Sequence, residues 1–304
     1  MRHRYVTCDV FTTTRFGGNQ LAVLPDARGL TAEQMQQVAR EFNYSESTFV
    51  LPAERGHDHR VRIFTPAREV PFAGHPNVGT AFVLASIGAL GDTTGPRTVH
   101  FEEAAGIVPV SIEPRGDGRF WCELEAPRPL TLGPELPFPD VAHAVGLSSF
   151  DLRTDAHVPR WASVGLPFII AELVDLVALG RARPDSAALA RLVPPGRRTM
   201  PDIHLYVRMP AGDPIGLDIR ARMFAPLDGV PEDPATGSAN GALAGLLASL
   251  ADPRDGELRW RIGQGVEMGR PSLLEARARR VDGEVAGVWI GGESVLVSEG
   301  TIEV

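Results

Sequence analysis

His75-Pro76-Asn77-Val78-Gly79-Thr80-Ala81 and, 158 positions later, Asp233-Pro234-Ala235-Thr236-Gly237-Ser238-Ala239 share one order of proline, glycine, small hydroxyl residue and alanine. Each stretch follows a Phe-x-Pro, Phe64-Thr65-Pro66 and Phe224-Ala225-Pro226, and each runs into an uncharged segment long enough for a helix. The Phe-x-Pro elements lie 160 apart, so a two-residue slip separates them from the motifs. The order of strand, proline turn, motif and apolar helix is the same in both halves and reads as an ancient duplication. Proline at the first helical position, with glycine beside it, leaves backbone N–H groups able to bind an anion. Two such helix starts facing each other predict a two-lobed enzyme with its chemistry in the cleft.

The 304 residues suit two domains of about 150 residues, each able to bury a core. A hydrophobic fraction of 43%, a charged fraction of 22% and a net charge of −8 exclude a nucleic-acid surface or a basic membrane patch. No signal-peptide pattern opens the chain, and no apolar run reaches the roughly 18 residues of a membrane span, so the expected location is cytoplasmic. All 30 basic residues are arginine. Without lysine there is no Schiff base, no covalent pyridoxal phosphate and no phosphate-loop lysine. Cys8 and Cys122 are the two cysteines and lack metal-ligand spacing.

The apolar pattern predicts strands over Tyr5–Phe11, Leu21–Leu24, Ser47–Leu51 and Val61–Phe64. Thr31 with Gln34 predicts a capping box that opens a helix to about Phe42, with Asn43 as its C-cap. Later strands fall near Pro167–Leu173, His204–Val207 and Val295–Val297. The expected class is α+β with mainly antiparallel strands and no regular strand–helix–strand crossovers. The Pro/Gly-rich segment Glu113–Gly118 divides residues 1–117 from 118–304, with the last strand free to cross back to the first domain.

Three ionisable residues stand in uncharged surroundings. Glu46 opens an apolar strand, where it is either a solvated edge carboxylate or a partly buried proton carrier with a raised pKa. His75, flanked by Val70–Gly74 and Pro76, is open to a structural or a catalytic reading. Asp233 suits an N-cap, a substrate contact, or both. Gly263-Gln264-Gly265 lacks the context of a nucleotide loop, and His57-Asp58-His59 reads as a polar turn rather than a metal site. No Gly-x-Ser-x-Gly elbow is present.

The chain resembles the phenazine-biosynthesis isomerase-like (PhzF-like) family of the diaminopimelate epimerase and proline racemase superfamily. The resemblance runs nearly end to end. It is carried by Asp9-Val10-Phe11 with Gly18-Asn19 and Ala22-Val23, by Ser45-Glu46-Ser47, and by Phe64-Thr65-Pro66 with Glu69–Pro76. It continues in Glu232–Ala239 and in Gln264-Gly265 with Gly269–Ser272. Gln20 stands where the family usually has proline, and Asn77 where threonine is common. The resemblance implies two similar domains, each a barrel-like sheet around a central helix, and a dimer that needs no cofactor or metal. It implies a proton-moving isomerase of a small unsaturated amino or hydroxy carboxylic acid, in secondary metabolism such as antibiotic production. By the same resemblance Glu46 is the acid/base, His75 and Asp233 assist, and Asn19, Gly74, Gly237 and Ser238 bind the anionic substrate. Epimerases of the superfamily use two cysteines at the helix starts, where this chain offers His75 and Asp233. A lyase or C–C hydrolase, an amino-acid epimerase, and a non-catalytic binding protein are the alternatives.

Overall fold

The computed structural model describes residues 1–193, 200–252 and 254–304. Its elements in chain order begin with β1 (Arg2–Val10), β2 (Asn19–Leu24), α1 (Ala32–Phe42), β3 (Glu46–Pro52), β4 (His59–Phe64) and β5 (Glu69–Val70). Next come α2 (Gly74–Ser86), β6 (Arg97–Glu103), β7 (Gly106–Gly116), β8 (Arg119–Glu125), β9 (Thr131–Glu135), α3 (Phe138–Ala144) and β10 (Leu152–Arg153). Then follow β11 (Arg160–Ser163), β12 (Pro167–Leu173), α4 (Leu176–Arg181), α5 (Ser186–Arg191) and β13 (Ile203–Arg208). The chain ends with β14 (Ile219–Ala225), β15 (Val230–Asp233), α6 (Gly237–Ser249), β16 (Gly256–Gln264), β17 (Ser272–Val281) and β18 (Glu284–Glu303).

Two compact units are present, Met1–Glu125 with Gly291–Val304, and Ala126–Ile290. In the first, β1 pairs with β2 antiparallel, β2 with β3 parallel, β3 with β4 antiparallel, β4 with β6 parallel, and β6–β7–β8 antiparallel. Strand β18 pairs with both β8 and β1 and closes an eight-stranded barrel. The second unit repeats the sequence of pairings: β11–β12 antiparallel, β12–β13 parallel, β13–β14 antiparallel, β14–β16 parallel, β16–β17 antiparallel. Each parallel pair is bridged by at least one helix, which corrects the expectation of no strand–helix–strand crossovers. The pattern hid this because α2 and α6 are apolar on every side, and a helix with no polar face belongs inside a core rather than on one. Every residue of α2 from Gly74 to Ala85 is buried, as is α6 from Ala239 to Ala248. Gly79 permits the close fit, since a Cβ there would lie 2.6 Å from both Leu21 and Val10 side-chain carbons.

The opposite face of each sheet carries a second helical layer. The predicted capping box at Thr31 and Gln34 starts α1, and Asn43 ends it in the left-handed conformation. Met35, Val38 and Ala39 of that helix pack on Leu24, Phe49 and Phe64. In the second unit α3, α4 and α5 supply Val141, Leu179 and Leu189 against Ile203, Leu205 and Phe224.

The duplication is real in the fold but its register differs from the sequence motif. Helices α2 and α6 each span 13 residues and start 163 positions apart, at Gly74 and Gly237. This register matches Asn77 with Asn240, Leu84 with Leu247, Ala85 with Ala248 and Ser86 with Ser249. Asn77 Nδ2 donates to Ala73 O at 2.9 Å, and Asn240 Nδ2 donates to Thr236 O at 3.0 Å. One turn upstream, Arg62 makes a two-pronged bond to Glu69 while lying over Phe64, and Arg222 does the same with Glu232 and Phe224. Those arginines are 160 apart and their glutamates 163, so the stretch from Arg222 to Glu232 holds three more residues than the one from Arg62 to Glu69. His75 therefore corresponds to Ser238, and Asp233 to Val70. Proline fits several first-turn positions: Pro76 is the third residue of α2, whereas Pro234 precedes α6, so aligning the prolines misaligned the helices.

Candidate active site

In the first unit two strands and a helix deliver polar groups to one place. Glu46 is the first residue of β3, paired with Leu21, and Asn19 is the first residue of β2. Gly18 sets Asn19: its φ is +62° and a Cβ there would lie 2.3 Å from Val10 O, so only glycine takes the turn without strain. His75 sits second in α2 and approaches Glu46, with Nδ1 to Oε2 3.6 Å. Asn19 Nδ2 lies 3.3 Å from the same His75 nitrogen, and Ser45 Oγ donates to Asn19 Oδ1 at 3.0 Å. The result is a chain from Ser45 through Asn19 and His75 to Glu46.

Burial decides its electrostatics. The His75 side chain is 5% exposed and the Glu46 side chain 19%. Burial pushes the imidazole down to about 3, against a hydrogen bond to the backbone of Gln20 that favours its charged form. His75 is thus neutral at physiological pH, and its contact with Glu46 is a polar contact rather than an ion pair. Its Nε2 is buried without a hydrogen-bond partner.

In the second unit Asp233 ends β15 and is buried. It is not the N-cap of α6; that position is Thr236, whose hydroxyl donates to Asp233 Oδ2. The sequence could not separate a capping aspartate from one three residues farther from the helix, because Pro234 suits either place. Gln264, dismissed with the glycines around it as a weak nucleotide-loop signal, braces this turn. Its Nε2 donates to Asp233 O at 2.7 Å and to Thr236 Oγ1 at 3.1 Å, and its Oε1 accepts from Asn240 Nδ2 at 2.7 Å. Ser272 Oγ adds a bond to Pro234 O at 2.9 Å. The available signal for these roles was the Gln264-Gly265 block with Ser272. Neither α2 nor α6 has a side-chain cap on its first amides. Gly74 opens α2, and Gly237 and Ser238 open α6. Thus Glu46, His75, Asn19 and Gly74 cluster in one unit, and Asp233, Gly237 and Ser238 in the other. Cys8 and Cys122 are buried on β1 and β8, and neither is part of the first turn of α2 or α6.

Among the described residues no group of three His, Cys, Asp or Glu side chains could hold a metal ion, and no helix is long and apolar enough to cross a membrane.

Residues 8–300 match the family described as phenazine biosynthesis-like protein. A trans-2,3-dihydro-3-hydroxyanthranilate isomerase of Pseudomonas aeruginosa is 40% identical over 301 residues, covering 98% of each chain. A protein of Mesorhizobium japonicum described as an uncharacterized isomerase is 38% identical over 303 residues, again covering 98% of each. Among solved structures, the Bacillus anthracis phenazine biosynthesis protein of the PhzF family superposes with a TM-score of 0.89 at 25% identity, covering 100% of both chains.

Proposed function

This chain belongs to the phenazine biosynthesis-like protein family and is an isomerase, and from that premise we propose that it moves a proton, and with it a C=C bond, within a small unsaturated amino or hydroxy carboxylic acid. The observation that carries this reading is the pairing of the half-buried Glu46 carboxyl with a neutral, buried imidazole 3.6 Å away. A neutral imidazole brings no positive charge to the Glu46 carboxyl. Glu46 removes a proton from one carbon, the electron pair shifts through the conjugated system, and the same carboxyl returns the proton at a second carbon. Neutral His75 is a hydrogen-bond donor for the substrate's polar substituent, with Asn19 fixing its ring. Asp233, held by Thr236 and Gln264, binds the substrate's amino or hydroxyl group. Charge that builds on the substrate carboxylate is stabilised by the uncapped first turn of α2 at Gly74; Gly237 and Ser238 give the second unit an equivalent uncapped turn. The positions of Cys8 and Cys122 count against two-thiol epimerisation.

The isomerase relatives support this substrate class, and trans-2,3-dihydro-3-hydroxyanthranilate is the first compound to test. Purified protein is expected to convert it, without added cofactor, to a product of unchanged mass. A product of altered mass would select the lyase or hydrolase alternative and overturn the isomerase mechanism. No conversion would remove this compound as substrate.

A further inference from the structure

The hydrogens around Asp233 are placed by groups that can only donate or only accept. Asn240 Nδ2 faces the Thr236 carbonyl at 3.0 Å, and a carbonyl only accepts, so the amide is fixed with Oδ1 toward His204 Nε2, 3.1 Å away. His204 therefore carries its hydrogen on Nε2. Gln264 is oriented from both ends. Its Oε1 accepts from Asn240 Nδ2 at 2.7 Å and from Thr236 N–H at 3.3 Å, and its Nε2 donates to the Asp233 carbonyl at 2.7 Å. The same Nε2 donates to Thr236 Oγ1 at 3.1 Å. A hydroxyl has one hydrogen, and with the Thr236 oxygen accepting from Gln264 that hydrogen is committed to Asp233 Oδ2. His204, Asn240 and Gln264 are fully buried, so bulk water does not compete for these bonds. The chain runs one way, from His204 to Asp233.

Thr236 departs from its ordinary work to end this chain. It is the N-cap of α6 with an extended backbone, the place where a threonine hydroxyl accepts an N–H of the first turn. The hydroxyl makes no such bond and is turned to Asp233 instead. Counted from the first residue of each helix, Thr236 falls opposite Ala73, the N-cap of α2, and Asp233 falls opposite Val70. The fold thus starts its other central helix without a hydroxyl at this position and without a carboxylate three residues before it. A local choice that gives up a cap and has no counterpart in the duplicate belongs to function rather than to folding.

We propose that Thr236 is a positioning residue that fixes Asp233 as a hydrogen-bond acceptor, so that the substrate group meeting Asp233 must be a donor, an amine or a hydroxyl. The proposal rests on assigning Asp233 to the substrate. It adds a rule of selection: an ether oxygen at the same place on the substrate would set one acceptor against another and be rejected. It also separates the duties of the two carboxyl groups, with Glu46 moving the proton and Asp233 orienting the molecule.

The test compares Thr236→Val, Thr236→Ala and Thr236→Ser with wild type, alone and combined with Asp233→Ala, on trans-2,3-dihydro-3-hydroxyanthranilate. Val and Ala remove the hydroxyl and Ser keeps it; Ala makes no steric demand at the turn, so the comparison survives a valine variant that does not fold. Loss of a hydrogen bond to a charged group should lower kcat/KM at least about tenfold in Val and Ala, and Ser should restore it. On the Asp233→Ala background the loss of the hydroxyl should cost less than about twofold more, because Thr236 acts through Asp233. Asp233→Asn should be as impaired as Asp233→Ala, since Thr236 claims the amide oxygen and leaves an N–H facing the substrate's donor. Additive losses, no recovery in Ser, or an active Asp233→Asn would overturn the proposal. Without any ligand, the Asp233 carboxyl carbon resonance should shift in Val and Ala and return in Ser. An unmoved resonance would overturn the proposal whether or not this compound is the substrate. Wild-type turnover by Asp233→Ala would instead overturn the assignment of Asp233, and the proposal with it.

Discussion

Replacing Arg222 with methionine tests how the second unit holds the strand that ends in Asp233. The Arg222 side chain is 4% exposed and Glu232 17%. Nε and Nη2 bind the two Glu232 oxygens at 2.7 and 2.8 Å, while Nη1 donates to Leu179 O at 2.8 Å and Ala182 O at 3.2 Å. The guanidinium also lies 4.7 Å from the centre of the Phe224 ring. Methionine fills the volume of the stem but leaves a largely buried carboxylate and the C-terminal carbonyls of α4 without donors. Removing one partner of a buried pair costs about 3–5 kcal/mol. The duplicated pair in the first unit is an internal control. Arg62 and Glu69 are 18% and 38% exposed, bind at 2.7 Å on both prongs, and among the described residues Arg62 has no carbonyl bonds of the Arg222 kind. Arg62→Met should therefore cost about 1 kcal/mol or less. Urea denaturation of the two variants measures the difference. Replacing Glu232 with leucine as well as Arg222 with methionine should recover part of the loss, because no unpaired charge then remains buried. Equal losses for Arg222→Met and Arg62→Met would refute the reasoning from burial.

Acid should destabilise the fold through two histidines: burial pushes His75 down to about 3 and His204 down to about 4, so between about pH 6.5 and pH 4 the unfolded chain takes up protons that the native chain refuses. Stability present above that window is lost as pH falls through it, by about 1 kcal/mol per pH unit for each histidine; denaturation at pH 7 and pH 5 checks this, and His204→Gln should show a shallower slope. Gly79→Ala should cost about 1–3 kcal/mol by forcing α2 away from β1 and β2, and unchanged stability in a thermal melt would show that Leu21 and Val10 yield freely.

Local signals in the sequence were sufficient where the physics is local. Thr31, Gln34 and Asn43 announced α1 because capping depends on residues within one turn of the helix end. Glu46, His75 and Asp233 stood out because charged groups are scarce in apolar stretches. The register of the repeat was not legible, because it depends on a three-residue insertion between Arg222 and Glu232. Only the matching Arg62–Glu69 and Arg222–Glu232 pairs expose that insertion. Gln264 braces Asp233 across 31 positions, so its role has no local pattern.

The central claim is that Glu46 carries the proton, and the most direct measurement is turnover of trans-2,3-dihydro-3-hydroxyanthranilate by wild type and Glu46→Gln, followed by product mass and by kcat and KM separately. Glutamine preserves the size of the side chain and a polar group near His75 Nδ1 but cannot exchange a proton with carbon. The account predicts a mass-neutral product from wild type, a kcat reduced by at least about 10²-fold in Glu46→Gln, and a KM little changed. A Glu46→Gln enzyme that turns over at close to the wild-type rate would contradict it.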